Sequence, residues 1–316
     1  MATLPSILMG LGFLVVLLVI TYLLNRWRLR NELASASQIV QTAVGTIEYI
    51  DKGTGTVVFH AHGMGGGFDH VQYCQFLIDA GFRVIVPSRP GYLRTPLTCG
   101  KTPREQAEMY ASLLDALNIP QAAFYAISQG GASSLEFAQA YPERCLGLVF
   151  VSAFTRPPQS DEFRQVLPYL KALMSVDFVM WMLKPILVSS LIAQARKALL
   201  PADQQDAGKM AALQDFFGTI SQASLRGQGL VNDFSNLYGW TGISLGQLTV
   251  PALLFHGTTD VFVRCEDSVA TAKDIPKARY VQLDGVGHEG FITRLDRIAP
   301  ETLDFLRNAQ SNRNKF

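Results

Sequence analysis

The chain is short of charge, of cysteine and of any metal or nucleotide signature. Only 17% of its 316 residues are charged, where soluble domains average about 25%. Lys and Arg number 27 against 26 Asp and Glu, for a net charge of +1. A balance this even supplies no basic field for a nucleic acid. The four cysteines, Cys74, Cys99, Cys145 and Cys265, lie far apart. No CxxC pair or Cys/His spacing suited to zinc occurs, and a disulfide scaffold is not expected at this length. The cysteines are expected to be buried, reduced thiols. There is no P-loop and no G-x-G-x-x-G string, the two glycine-rich patterns that cradle phosphates. Internal repeats and low-complexity tracts are missing too. Neither a metal nor an organic cofactor is expected.

What is present is apolar: 48% of the residues are hydrophobic. Leu4 to Leu24 contains no charged side chain, and Leu8 to Leu24 is almost continuously apolar. About 20 such residues in a helix span the hydrocarbon core of a bilayer. No Lys or Arg precedes the run, whereas Arg26, Arg28 and Arg30 follow it, with Trp27 among them as an interfacial residue. Positive charge on the C-terminal flank predicts an external N-terminus and a cytoplasmic body. A cleaved signal peptide would carry its positive charges first and a small-residue site soon after the apolar core. Here Ala34-Ser35-Ala36 comes only after the arginine-rich stretch. Residues 4–24 are therefore expected to be a single-pass membrane anchor and residues 25–44 a juxtamembrane linker.

Beyond residue 45 the pattern changes. Thr46 to Asp51 alternates with period two and predicts a strand. Short apolar runs then recur at Thr56–Ala61, Phe82–Val86, Ala122–Tyr125, Leu146–Val151, Ala252–Phe255 and Tyr280–Leu283. Segments of helical length, such as Glu105–Leu117 and Leu135–Tyr141, separate most of them. Strands alternating with helices predict an α/β fold, a mainly parallel sheet with helices on both faces. Residues 154–250 interrupt the alternation with nearly a hundred helix-rich positions, with Pro157, Pro158 and Pro168 near their start. A structureless loop that long is not expected inside a compact domain. An inserted helical cap is expected at 154–250, between core segments at 45–153 and 251–309. Its stretch Leu173–Ile192 is apolar enough to raise a second membrane span, but Asp177, Lys184 and Pro185 argue for a lid helix or an interfacial segment.

Four short motifs follow four of the predicted strands. Ala126-Ile127-Ser128-Gln129-Gly130-Gly131 places a serine among small residues at a strand-to-helix corner. Such a corner exposes a nucleophilic hydroxyl on a sharp turn. Ala126 stands where the usual G-x-S-x-G pattern has its first glycine. His62-Gly63-Met64-Gly65-Gly66-Gly67 follows the second buried run. It is an ordinary tight turn or one that aims a backbone N–H into a cavity. The Met64 and Gln129 N–H groups would together form a two-donor oxyanion hole. Asp260 lies just past the Ala252–Phe255 run, and His288 in a glycine-rich loop past Tyr280–Leu283. Glu266 and Asp267 are the fallback acids. His60 and His62 are expected to support the glycine turn, His256 to end a strand, and His70 has no assigned role.

The order Ser128, Asp260, His288, with the His62-Gly63 turn ahead of it, resembles the α/β-hydrolase superfamily, in particular its capped serine hydrolases. The resemblance runs from about Gly45 to the C-terminus and excludes the anchor. Pro87-Ser88-Arg89-Pro90-Gly91-Tyr92 is similar to the family loop that often shapes the pocket. The resemblance implies Ser128 as nucleophile, His288 as general base and Asp260 as its orienting acid, with an acyl-enzyme intermediate. It implies an ester or thioester substrate, and the anchor and apolar cap point to a lipophilic one, a lipid included. Two alternatives stand: hydrolysis of a carbon–carbon bond in a diketone, and a ligand receptor or scaffold with little turnover.

Overall fold

The computed structural model describes residues 3–158, 165, 168, 169, 171, 172, 174, 176–220 and 222–313. Of the apolar stretch expected as a lid helix, Leu173 and Ser175 lie outside the described residues, as does part of the expected cap. The chain forms two compact units, Met1–Gln38 and Ile39–Phe316.

The first unit is one helix, α1, over Leu4–Ala36. Pro5 sits in its first turn, where a missing N–H costs nothing. Beyond Gly12 no glycine or proline interrupts it. Its side chains are largely exposed, including Met9, Phe13, Val15 and Leu24. Its most apolar 18 residues have a mean hydropathy of 2.8, so the helix is long and apolar enough to cross a bilayer. Residues 25–44, expected to be a juxtamembrane linker, lie mostly in regular elements. The helix continues to Ala36, and strand β1 occupies Gln38–Thr42. Good helix formers run through the arginine-rich stretch, so nothing local stops the helix where the apolar residues end.

The second unit is built on the sheet that β1 opens. The strands are β1, β2 (Gly45–Lys52), β3 (Val57–Ala61), β4 (Arg83–Pro87), β5 (Ala122–Ile127), β6 (Cys145–Val151), β7 (Ala252–Gly257) and β8 (Ala278–Leu283). Their spatial order is β1-β2-β4-β3-β5-β6-β7-β8. β2 runs antiparallel to β4, and every pairing from β4 to β8 is parallel. β3, β5 and β7 are buried along their whole length. That burial explains their continuous apolar runs, because a parallel strand covered on both faces has no polar side.

Further helices are α2 (Gln75–Asp79), α3 (Pro103–Ala116), α4 (Gly130–Ala140), α5 (Asp177–Lys197), α6 (Pro201–Gln205), α7 (Ala207–Ile220), α8 (Ala223–Leu237), α9 (Cys265–Asp274), α10 (Gly290–Thr293) and α11 (Leu295–Arg313). α3 starts with a capping box: the Thr102 hydroxyl accepts from Glu105 N while the Glu105 carboxylate accepts from Thr102 N. It packs on α4, and α4 in turn contacts β5. The core joins Phe59, Phe124, Phe137, Phe150 and Tyr110. Helices α5–α8 all fall between β6 and β7, yet those strands pair directly, Leu148 with Ala252 and Val151 with Phe255. The chain thus leaves the sheet after β6 and returns beside the strand it left. α5 packs on α7 and α8, burying Met180, Val188 and Ala195. Three of the cysteines are buried thiols, but Cys265, at the exposed start of α9, is only partly covered. The expectation of four buried thiols is corrected at that position.

Candidate active site

Ser128 is the residue between β5 and α4, and its backbone is left-handed, with φ of 51°. A non-glycine residue reaches that region only under constraint. The constraint is visible: Ser128 N donates to Val151 O at 3.3 Å, and Ser128 O accepts from Gly131 N at 3.1 Å and Phe154 N at 2.9 Å. α4 begins hard against the neighbouring strand. A Cβ added to Gly130 would sit 2.1 Å from the carbonyl oxygen of Ala61, so only glycine fits. The turn leaves Ser128 Oγ 3.1 Å from His288 Nε2.

His288 lies in the loop after β8, and Asp260 in the loop after β7. These loops also touch, since a Cβ on Gly257 would fall 2.0 Å from Val286 O. His288 Nδ1 donates to Asp260 Oδ2 at 2.8 Å. The other carboxylate oxygen accepts from Phe262 N at 2.8 Å and Val263 N at 2.9 Å. Burial by itself would raise the Asp260 pKa, but the His288 charge and the hydrogen bonds from His256 and His288 outweigh it and hold the carboxyl well below its ordinary value. Burial by itself would lower the His288 pKa, but the Asp260 carboxylate and its hydrogen bond raise it above 6.5. Of the fallback acids, Glu266 faces Arg264 at 3.8 Å, and the Asp267 N–H caps back onto Arg264 O. Neither bonds His288 among the described residues.

His256 has a part that the sequence did not disclose. Its Nε2 donates to Asp260 Oδ2 at 3.1 Å and to Val263 O at 3.0 Å, while Nδ1 accepts from Ser268 Oγ at 2.7 Å. The i, i+4 spacing from His256 to Asp260 was the only signal available.

The glycine turn is held by a buried network. Arg89 N donates to His62 Nε2 at 2.9 Å, which fixes the proton on Nδ1. That Nδ1 donates to Gly63 O at 2.7 Å, and Arg89 Nη2 reaches the same carbonyl at 3.3 Å. Burial, with Arg89 nearby, keeps the His62 pKa far below 6.5 and the ring neutral. The peptide bond between Gly63 and Met64 is trans, so the Met64 N–H points opposite to the Gly63 carbonyl. Gly63 itself abuts the elbow, where an added Cβ would lie 3.0 Å from Ser128 Cβ. His60, expected to support this turn, does not: its Nδ1 donates instead to Tyr125 O at 2.8 Å, across the β3–β5 pairing. His70 is buried, with its ring edge-on to His62 and Tyr73.

Residues 56–295 match the family described as alpha/beta hydrolase fold. The chain belongs to this family. As an alpha/beta hydrolase it is 31% identical to a solved alpha/beta hydrolase fold protein from Nakamurella multipartita, with a TM-score of 0.68 over 86% of this chain and 99% of that one. It is 28% identical to a 2-hydroxy-6-oxononadienedioate/2-hydroxy-6-oxononatrienedioate hydrolase of Comamonas testosteroni, over 82% of this chain and 90% of that protein. A stretch of 124 residues, 38% of this chain and 43% of the other, is 39% identical to the uncharacterized hydrolase YcgS of Bacillus subtilis strain 168. A thermophilic esterase from Thermogutta terrifontis, at 20% identity, shares the fold with a TM-score of 0.71.

In this alpha/beta hydrolase a small cleft opens on the His288 side of the site. Leu191, Ala195 and Ala198 line it from α5 and the turn after it, Phe217 from α7 and Phe262 from the Asp260 loop. Val261, the polar Gln194 and Thr259, and His288 and Glu289 complete it, and no Lys or Arg is among its lining residues. Glu289 is 3% exposed, and burial raises its pKa against the lowering effect of His288.

Proposed function

We propose that this alpha/beta hydrolase is a serine hydrolase of uncharged, lipophilic carboxylic esters or thioesters, held at a membrane by α1. The observation that carries the reading is the unbroken hydrogen-bonded line from Ser128 Oγ through His288 to Asp260. In the reaction, His288 Nε2 takes the Ser128 proton as Oγ attacks the substrate carbonyl. Asp260 orients the ring and stabilises its cationic form. The oxyanion is met by the N–H groups of Met64 and Gln129, each worth about 3–4 kcal/mol. His288 then protonates the leaving group, and water repeats the cycle on the acyl-enzyme.

The cleft supports the substrate class. Its mostly apolar lining suits an alkyl or aryl group, and His288, which must reach the leaving group, forms one wall. The second reading is hydrolysis of a carbon–carbon bond, supported by relatives named as 2-hydroxy-6-oxo-dienoate and -dienedioate hydrolases. Those names denote carboxylate substrates. Glu289, and the lack of a cation among the cleft residues, favour the uncharged ester. Anchoring rests on the length and exposed apolar surface of α1, and Arg26, Arg28 and Arg30 favour a cytoplasmic body. The helices between β6 and β7 supply the cap over the site.

The test is labelling of detergent-solubilised protein with a fluorophosphonate probe, wild type beside Ser128→Ala. Labelling that disappears in Ser128→Ala is expected. A folded wild type that does not react removes the reading and favours a non-catalytic receptor. Turnover of a neutral ester series against a dienoate then separates the two hydrolytic readings.

A further inference from the structure

Helix α8 presents one face to the glycine turn. Arg226, Gly229 and Asp233 are spaced i, i+3, i+7, so they share that face. Each reaches across. The Arg226 guanidinium, 1% exposed, donates to Gly66 O at 2.6 Å and Gly65 O at 3.3 Å and pairs with Asp69 at 2.6 Å. Asp233 accepts from Arg89 in a bidentate pair at 2.9 and 2.5 Å, with both side chains 1% exposed. Gly229 N donates to Gly91 O at 2.9 Å, and a Cβ there would strike the Tyr92 ring. The two ion pairs run in opposite senses. One arginine comes from the helix and finds its carboxylate in the body, and the other pair is the reverse. Such an arrangement fixes the helix in register along its axis, because a slide of one turn would break both pairs.

These contacts converge on the backbone that aims the Met64 N–H. Arg89 supplies both the N–H that sets the His62 tautomer and a guanidinium nitrogen on the Gly63 carbonyl. Tyr92 OH bridges Asp233, at 2.5 Å, to the N–H of Gly65, at 3.2 Å. On either side of Met64, then, the peptide groups are tied to α8 directly or through one side chain.

We propose that α8 is a positioning clamp for the oxyanion turn: Asp233, through Arg89, holds the peptide between Gly63 and Met64 in the orientation that turns its N–H toward the elbow, and Arg226 holds the next carbonyls, of Gly65 and Gly66. The site is therefore complete only while α8 is seated. This rests on the serine-hydrolase reading, since the oxyanion is what the clamp serves. Asp233 and Arg226 act through the backbone and touch no reacting atom.

Asp233→Asn keeps the shape and removes the charge that holds Arg89. Tyr92→Phe is milder and deletes only the bridge from Asp233 to Gly65 N–H. Each variant is assayed on a short neutral ester, with rates divided by the number of sites titrated by the fluorophosphonate. A boronic acid, which forms a tetrahedral adduct on the serine, reports on the oxyanion turn separately. For Asp233→Asn, kcat per titrated site is expected to fall about tenfold or more while KM changes less than about twofold, with boronate affinity falling in parallel. For Tyr92→Phe a loss of about threefold in both kcat and boronate affinity is expected. A role in stability alone would lower the fraction of titratable sites and leave kcat per site intact. Either variant, folded and with wild-type kcat per site and boronate affinity, overturns the clamp. If Asp233→Asn does not fold, Tyr92→Phe decides. A wild type that neither labels nor turns over the ester removes the serine-hydrolase reading, and the clamp with it.

Discussion

At the scale of single residues, Asp260 carries the most densely bonded carboxylate beside Ser128 and His288. Its carboxylate accepts from two backbone N–H groups and two imidazoles, so its charge is fully solvated by the protein. That arrangement sets the pH response. In the proposed mechanism His288 must be neutral to accept the serine proton, and Asp260 raises its pKa above 6.5. Activity is therefore expected to fall as the pH drops through a midpoint above 6.5. In Asp260→Asn burial is opposed only by the smaller effect of Glu289, the imidazolium is less favoured, and the midpoint moves down. A pH profile of kcat/KM for both proteins checks this; an unmoved midpoint would contradict it. His256→Phe removes one donor to Asp260 and leaves the Ser268 hydroxyl without its acceptor. It is expected to lower kcat/KM by about tenfold, as second partners of catalytic groups do. On the proposed reading, Glu289 sets the charge preference. At pH 8 the wild type is expected to disfavour an ester carrying a free carboxylate against its neutral homologue, and Glu289→Gln to narrow that gap about tenfold. Equal discrimination in the two proteins would count against the role given to Glu289. Ser128, Asp260 and His288 were legible because each stands in a turn directly after an apolar run. His256 was not, since its role depends on a loop folding back over the strand end, which the sequence does not record.

At the scale of elements, β5 and α4 meet at an angle that only Gly130 permits. Gly130→Ala would place a methyl group 2.1 Å from the Ala61 carbonyl oxygen. A rigid strand cannot yield that much, so a destabilisation of about 2 kcal/mol or more is expected from overpacking, measurable by urea denaturation. The buried strands were visible as apolar runs because both of their faces are covered. β1 escaped detection because Gln38–Thr42 is short and mostly exposed, and its alternation is too brief to separate from a linker. The clamp on α8 was equally invisible. Arg226 and Asp233 look like ordinary solvated charges until their partners, Asp69 and Arg89, are brought in from about 150 residues away. Sequence spacing along one helix reveals which residues share a face, and not what that face meets.

At the scale of the whole molecule, the unit Ile39–Phe316 holds the entire site and begins after α1 ends. Removal of residues 1–36 is therefore expected to give a water-soluble protein whose activity on a short soluble ester matches that of the full chain. The full chain is expected to sediment with membranes, and a reporter after Phe316 to face the cytoplasm; sedimentation and protease protection test both. Loss of activity on truncation would show that α1 does more than anchor.

The wide spacing of the site along the chain also has a consequence in time. Ser128 and His288 are 160 residues apart, and β7, which leads into Asp260, pairs with a strand completed a hundred residues earlier. At synthesis rates of about 5–20 residues per second, the serine leaves the ribosome on the order of ten to thirty seconds before its base exists. Through that interval the nascent chain carries a serine hydroxyl without the imidazole that the proposed mechanism gives it. Under the serine-hydrolase reading, the order of translation keeps the serine inert until nearly the whole sheet has formed.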